Sequence, residues 1–213
     1  MIKIHPAVNG LTSQMKAGDV VATDDLFKGD ITFDWLYPEH IEEKSHKHWT
    51  PLTVARRAAQ FLAEPGKHVL DIGSGVGKFC LAGAYGYPDT IFFGVEQRHE
   101  LVLHAEDAKR QLQFRNVHFI HANMTQINFK EFDHFYFYNS FYENVDLEEP
   151  IDDTIETSYS LYQYYTQYLA NALDQQPPGT RLVTFHSLEE EVPPSYKLAG
   201  TDHHDLLKMW IKR

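Results

Sequence analysis

The sequence predicts an α/β protein: a doubly wound, mainly parallel seven-stranded sheet with a C-terminal β-hairpin strand antiparallel, plus an N-terminal arm. Three observations predict it. Short apolar runs of strand character alternate with stretches of helical period from residue 50 onward. A glycine-rich turn, Asp71-Ile-Gly-Ser-Gly-Val-Gly77, joins the first of these strands to the next helix. The last two strand-like stretches are separated by only a short loop, which suits a hairpin and turns one strand against the others. A chain of 213 residues accommodates one such domain with a terminal extension.

Residues 1–49 form the expected arm or lid. They carry little periodicity and hold turn signals at Asn9-Gly10 and Lys28-Gly29-Asp30. The cofactor-binding domain is expected over 50–213. Thr50 suits an N-cap and Pro51 a first helical position; Val54, Ala58 and Phe61/Leu62 then recur at helical spacing up to Pro65-Gly66. His68 to Ile72 reads as a buried strand closed by Gly73, and Lys78 to Tyr85 as a helix stopped by Gly86 and Pro88. Ile91 to Val95 is the second strand. Leu101, Ala105, Ala108 and Leu112 mark the next helix, with Glu106 and Arg110 as an i,i+4 pair. Val117 to Ala122 and Phe135 to Tyr138 follow as strands. Asp153 and Glu156 resemble a capping box opening a helix to about Leu173, which Pro177-Pro178-Gly179 breaks. Arg181 to Phe185, Tyr196 to Ala199 and Leu206 to Ile211 complete the strands.

Composition narrows the function. No run approaches a membrane span of about 18–20 apolar residues, and the N-terminus lacks a basic then apolar leader pattern. The single cysteine, Cys80, makes no internal disulfide, which fits a cytoplasmic location. The formal net charge is −11, and no basic run exceeds Arg56-Arg57, so a small molecule or protein is favoured over nucleic acid as partner. The 13 histidines are scattered without zinc spacing, so no metal site is expected.

In a doubly wound sheet ligands bind at the carboxyl ends of the strands. The turn after the first strand supplies Asp71, Gly73, Ser74, Gly75 and Gly77, where glycines let backbone approach a nucleoside. Lys78 stands where a dinucleotide fingerprint needs glycine, and the Gly-Lys-Ser/Thr of a P-loop is absent. Glu96, next to Gln97, ends the second strand, where a carboxylate can accept from ribose hydroxyls; its bland alternative is a surface acid. Asn123-Met124 follows the third strand, where an amide can pair with adenine and an apolar neighbour cover the ring, or where Asn simply makes a turn. Asn139, Phe141, Tyr142 and Glu143 follow the fourth strand. Thr50 is either a helix cap or a cleft residue, and His186 ends the fifth strand.

These sites, in this order, resemble the class I (Rossmann-like) S-adenosylmethionine-dependent methyltransferase superfamily. In wording, Asp71 to Lys78 is closest to the Dot1-like lysine methyltransferases, as Asn139-Ser140-Phe141 is to their Asn-x-Phe. Tyr138 to Glu143 also resembles the Asn-Pro-Pro-Tyr motif of amino-methylating enzymes, with Ser140 and Phe141 replacing the prolines. The resemblance implies S-adenosylmethionine as cofactor and an enzyme that methylates an unidentified acceptor, nitrogen being the candidate atom. It implies that Asp71, Gly73, Ser74, Gly75, Gly77, Glu96, Gln97, Asn123 and Met124 hold the cofactor, with Thr50 at its carboxylate. Asn139, Phe141, Tyr142 and Glu143 would face the methyl group, with Glu143 or His186 drawing a proton from an amine. The alternatives are a non-catalytic nucleoside-cofactor-binding protein and a nicotinamide-dependent oxidoreductase; the glycine spacing and the lack of a Tyr-x-x-x-Lys pair argue against the latter.

Overall fold

The computed structural model describes residues 2–3, 20–145, 151–187 and 191–213. Two short strands, β1 (Ile2–Lys3) and β2 (Val20–Val21), pair antiparallel. The Asn9-Gly10 turn signal lies outside the described residues. Four short helices follow, α1 (Thr23–Leu26), α2 (Asp30–Asp34), α3 (Glu39–Glu42) and α4 (Ser45–His48). The main domain then runs α5 (Leu52–Leu62), β3 (His68–Ile72), α6 (Lys78–Gly86), β4 (Ile91–Glu96), α7 (His99–Leu112), β5 (Val117–His121), β6 (His134–Tyr138), α8 (Tyr159–Asp174), β7 (Arg181–Phe185), β8 (Tyr196–Asp202) and β9 (Leu207–Lys212).

The seven strands β3 to β9 form one sheet in the order β5-β4-β3-β6-β7-β9-β8. β9 runs antiparallel to both of its neighbours and the remaining pairings are parallel. The chain steps from β3 outward to β5 and returns to β6 beside β3, which creates a switch point between β3 and β6. Residues of period two divide between the sheet faces. Val69, Tyr136, Val183 and Met209 join one core with α5, α6, α7 and the N-terminal helices. Leu70, Ile72, Phe135, Phe137, Leu182 and Trp210 join the other, which α8 covers through Leu169 and Leu173. Burial on both faces explains why these strands read as unbroken apolar runs. No helix among the described residues is long and apolar enough to cross a membrane.

Four local expectations are corrected. Thr50 does not cap α5: its hydroxyl meets Tyr136 Oη at 3.2 Å, Pro51 takes the cap position, and the Leu52 N–H is satisfied by Asp30 Oδ1 at 2.9 Å. That cap comes from 22 residues upstream, so no local pattern encodes it. The Asp153/Glu156 box opens no helix; Ser158 caps α8, its Oγ accepting from Leu161 N. Glu106 and Arg110 do not pair with each other: Lys109 reaches Glu106 at 3.3 Å, and Arg110 turns to Asp107. Residues 23–49 are not irregular. Their helices bury Leu26, Phe33, Ile41 and Trp49 in the main core.

Lys78 explains how that segment is held. Its side chain is 2% exposed and its ammonium lies 2.7 Å from Asp30 and 2.8 Å from Asp34, with Ser45 Oγ at 3.2 Å. Burial raises the Asp34 carboxyl, and the Lys78 charge pulls it back down. Desolvation offsets much of the attraction in a buried pair of this kind, so its net contribution to stability is small.

Candidate active site

A cleft opens at the carboxyl ends of β3, β4, β5 and β6, at the switch point. Asp71, Gly73, Ser74, Gly75, Glu96, Gln97, Asn123, Met124, Asn139, Phe141, Tyr142, Glu143 and Thr50 all line it. Gly77 does not. Its φ is +80°, and a Cβ there would lie 2.3 Å from the Phe119 ring, so this glycine lets α6 sit close against β5. His186 also lies off the lining, packed against Phe185 and Tyr138 with its pKa lowered by burial.

The glycine turn is braced from two sides. Gly75 has φ +53°, and a Cβ would meet the Trp49 ring at 2.9 Å. Trp49 is itself fixed by its Nε1–H donating to Ile41 O at 2.9 Å. Ser140 packs on Gly73 and donates to Ile72 O at 2.7 Å. Below the turn, burial pushes the Asp71 carboxyl well above the usual range; the Cys80 thiol, 3.7 Å away, opposes this shift and the nearby Glu96 adds to it. Asp71 is therefore a poor anchor for charge until a cation approaches.

Glu96 is buried, which raises its pKa. Two backbone N–H groups hold its carboxylate, Gly75 N to Oε2 at 3.1 Å and Arg98 N to Oε1 at 2.8 Å. A carboxylate has about four acceptor sites, so two remain for hydroxyls from the cleft. Asn123 is different. Its Oδ1 accepts from Thr125 N and Thr125 Oγ1, and its Nδ2 donates to Gln97 and Tyr165. The amide's bonds are taken up by its capping turn and by Gln97 and Tyr165, while the residue itself lines the cleft.

Sequence reading missed Arg98. Its guanidinium grips Glu143 with two bonds, 3.0 and 2.7 Å, and Nε reaches Asp152 at 3.0 Å. The Arg98 side chain is 3% exposed and that of Glu143 13%. Glu143 is thereby engaged as an ion-pair partner on the cleft wall. No local signal marks this pairing, because the two residues stand 45 positions apart. Asn139 keeps its expected place. It takes a left-handed backbone, φ +40°, at the end of β6, and its side chain makes no hydrogen bond among the described residues. Phe141 is buried beside it against Phe137 and Tyr165, while Tyr142 is half exposed.

This geometry matches known proteins. Residues 65–139 fit a family model described as "Putative methyltransferase". The structure resembles TrmN from Thermus thermophilus, with a TM-score of 0.57 at 19% identity, covering 80% of this chain and 51% of that one. It also resembles an RNA methyltransferase from Salinibacter ruber in complex with S-adenosyl-L-homocysteine, at TM-score 0.52 and 19% identity, covering 76% and 92%. The fold is that of the S-adenosylmethionine-dependent methyltransferases. Among curated proteins, a tRNA (guanine-N(7)-)-methyltransferase of Synechococcus sp. (strain JA-3-3Ab) is 49% identical over 55 residues, 26% of this chain and 23% of that protein. The enzyme of the same name from Microcystis aeruginosa is 34% identical over 88 residues, 40% and 41%. The chain thus spans less than half the length of these relatives. The match overlies the methyltransferase fold from the glycine turn through the Asn139 strand end.

These relatives correct the expected partner. The preference for a small-molecule or protein acceptor, drawn from net charge, is contradicted by the curated relatives, which are named as tRNA methyltransferases. They also stand in place of the Dot1-like wording. Net charge is a weak guide to a partner because it averages over the whole surface. The rim carries Lys44, His46, Lys47 and His48 on and beside α4, and Lys47 and His48 line the cleft.

Proposed function

We propose that the protein is an S-adenosylmethionine-dependent methyltransferase acting on a guanine N7 in tRNA. The observation that carries it is Asn139: a left-handed residue on the cleft wall whose amide has no hydrogen-bond partner among the described residues. Such a backbone persists where the surroundings hold it, and an unpaired amide at a strand end is free for a ligand. The names of the curated relatives support tRNA guanine N7 as the acceptor.

The residues present fit the cofactor. Ser74 Oγ is buried in the turn with no hydrogen-bond partner among the described residues, and Glu96 retains acceptor capacity. In this reading Glu96 holds the ribose hydroxyls, the Asp71–Gly75 turn seats the nucleoside, Met124 covers a base and Thr50 faces the carboxylate end. Bound S-adenosylmethionine supplies an already electrophilic methyl group. The protein's task is then positioning and exclusion of water. Asn139 donates its Nδ2–H to an acceptor base, and the Phe141 and Tyr142 rings wall the site.

The state of the acids favours N7 over an amine. An exocyclic amine must lose a proton, whereas guanine N7 is a bare lone pair. Glu143 is locked by Arg98, Glu96 by two backbone N–H groups, and Asp71 is buried. A cleft whose carboxylates are ion-paired, held by backbone N–H groups or buried beneath the turn suits the nucleophile that needs no base.

The test is incubation with methyl-labelled S-adenosylmethionine and tRNA transcripts, followed by nucleoside mass spectrometry. Label in 7-methylguanosine is expected. Cofactor binding by calorimetry with no labelled nucleoside would remove the RNA reading and leave the fold-level one. Binding of NAD in its place would remove both.

A further inference from the structure

We propose that His40, Glu100 and His104 form a site for a transition-metal ion of the Zn2+ class, stapling the N-terminal helices to α7. Among the described residues they are the group of His, Cys, Asp or Glu whose ligand atoms converge, all within 4.8 Å of one another. Glu100 and His104 are one helical turn apart on α7, so they share a face. His40 comes from α3 on the other side of the seam. Its Nε2 lies 3.4 Å from Glu100 Oε1, and His104 Nε2 lies 3.8 Å from the same oxygen. The His40 and His104 rings sit edge to face at 5.6 Å.

These separations are close to those of ligands around one ion. With metal–ligand bonds of about 2.0–2.2 Å, tetrahedral neighbours stand about 3.3–3.6 Å apart, so small rotamer changes close the set. Two imidazoles and one carboxylate suit Zn2+, Ni2+ or Cu2+, and exclude the all-oxygen preference of Ca2+ and Mg2+. Three protein ligands on an accessible surface leave the remaining positions to water.

The location gives the ion a consequence. His40 precedes Ile41, whose carbonyl accepts from Trp49 Nε1, and the Trp49 ring braces Gly75 in the glycine turn. An ion on His40 would therefore fix the segment that covers the cleft. This inference stands apart from the methyl acceptor, since it rests on the α3–α7 seam alone.

Calorimetric titration of the full chain with Zn2+ tests it, with thermal unfolding alongside. One ion per chain is expected, with Tm rising by roughly 5–10 °C at a hundredfold excess over Kd. His40→Ala and His104→Ala should each abolish the rise, while His203→Ala, far in sequence and on the β8–β9 turn, keeps it. All three positions are solvent-accessible, so the variants should fold. Absence of binding by the wild type, or equal binding in the His40→Ala/His104→Ala double variant, overturns the site.

Discussion

At the scale of single residues, the site separates positions whose side chains are committed from those that are not. Glu96 spends two acceptor sites on backbone and keeps two. If those take ribose hydroxyls as charge-assisted bonds, Glu96→Ala should cost about 2–4 kcal/mol of cofactor affinity. Calorimetry on the folded variant reads this directly, and an unchanged dissociation constant would return Glu96 to a purely structural role. Asn139→Ala should do the reverse: leave cofactor binding nearly intact and slow turnover about 10²-fold, through loss of one positioning bond of about 2.7 kcal/mol. A variant that merely loses thermal stability, with an unaltered rate per folded molecule, would make Asn139 a turn residue. Both residues were legible in the sequence because each ends a strand next to a recognisable motif. Asn123 was equally conspicuous and differs, because its amide closes on Thr125, two residues away, a contact that strand-end position alone does not distinguish from a ligand contact.

At the scale of elements, β3 to β7 and β9 were readable to within a residue, since each is an apolar run bounded by Gly, Pro or polar turns, whereas β8 runs three residues past its expected end and β1 and β2 were not foreseen. β3 and β7 coincide with the expected bounds. α1 to α4 were not readable, since helices of four or five residues hold no complete hydrophobic period. The caps that sequence misplaced, Asp30 on α5 and Ser158 on α8, show the same limit from two directions: one is distant, the other overshadowed by a nearer acidic pattern. The junction of α6 with the sheet yields a test. Gly77→Ala would add a Cβ in a left-handed conformation 2.3 Å from Phe119. A loss of about 2–4 kcal/mol is expected, and with it a Tm lower by roughly 5–10 °C. Thermal unfolding checks it, and wild-type stability in this variant would contradict the packing role given to Gly77.

For the whole molecule, acid sensitivity follows from buried imidazoles. His134 is 5% exposed, accepts from Arg181 N through Nδ1 at 3.1 Å, and places Nε2 2.8 Å from Glu64. An acceptor Nδ1 requires a neutral ring. Burial holds its pKa below the ordinary value, with Glu64 pulling the other way. Unfolded chain takes up a proton near about pH 6.5 while the folded ring does not. Stability therefore falls as pH drops through that value, and the loss ends once the folded ring also charges. Burial acts in the same direction on His118 and His186. Tm measured between about pH 7.5 and 5.5 should decline less steeply in His134→Gln than in the wild type; identical slopes would remove His134 from the account. Whole-molecule charge was the least useful sequence quantity, because a net −11 says nothing of where the rim lysines and histidines stand.

The indole of Trp49 lies against Gly75 on the cleft wall, fixed by its bond to Ile41, whereas Trp210 is buried on the opposite sheet face and bonded to Thr184. The chain thus carries its own optical reporter. A nucleoside seated on the glycine turn must alter the surroundings of Trp49, while Trp35 and Trp210 stand off the cleft lining. Ligand titrations should therefore quench or shift intrinsic emission without any label. Replacing Trp49 with phenylalanine should silence most of that signal, giving a fluorimetric readout of cleft occupancy that needs no methyl acceptor.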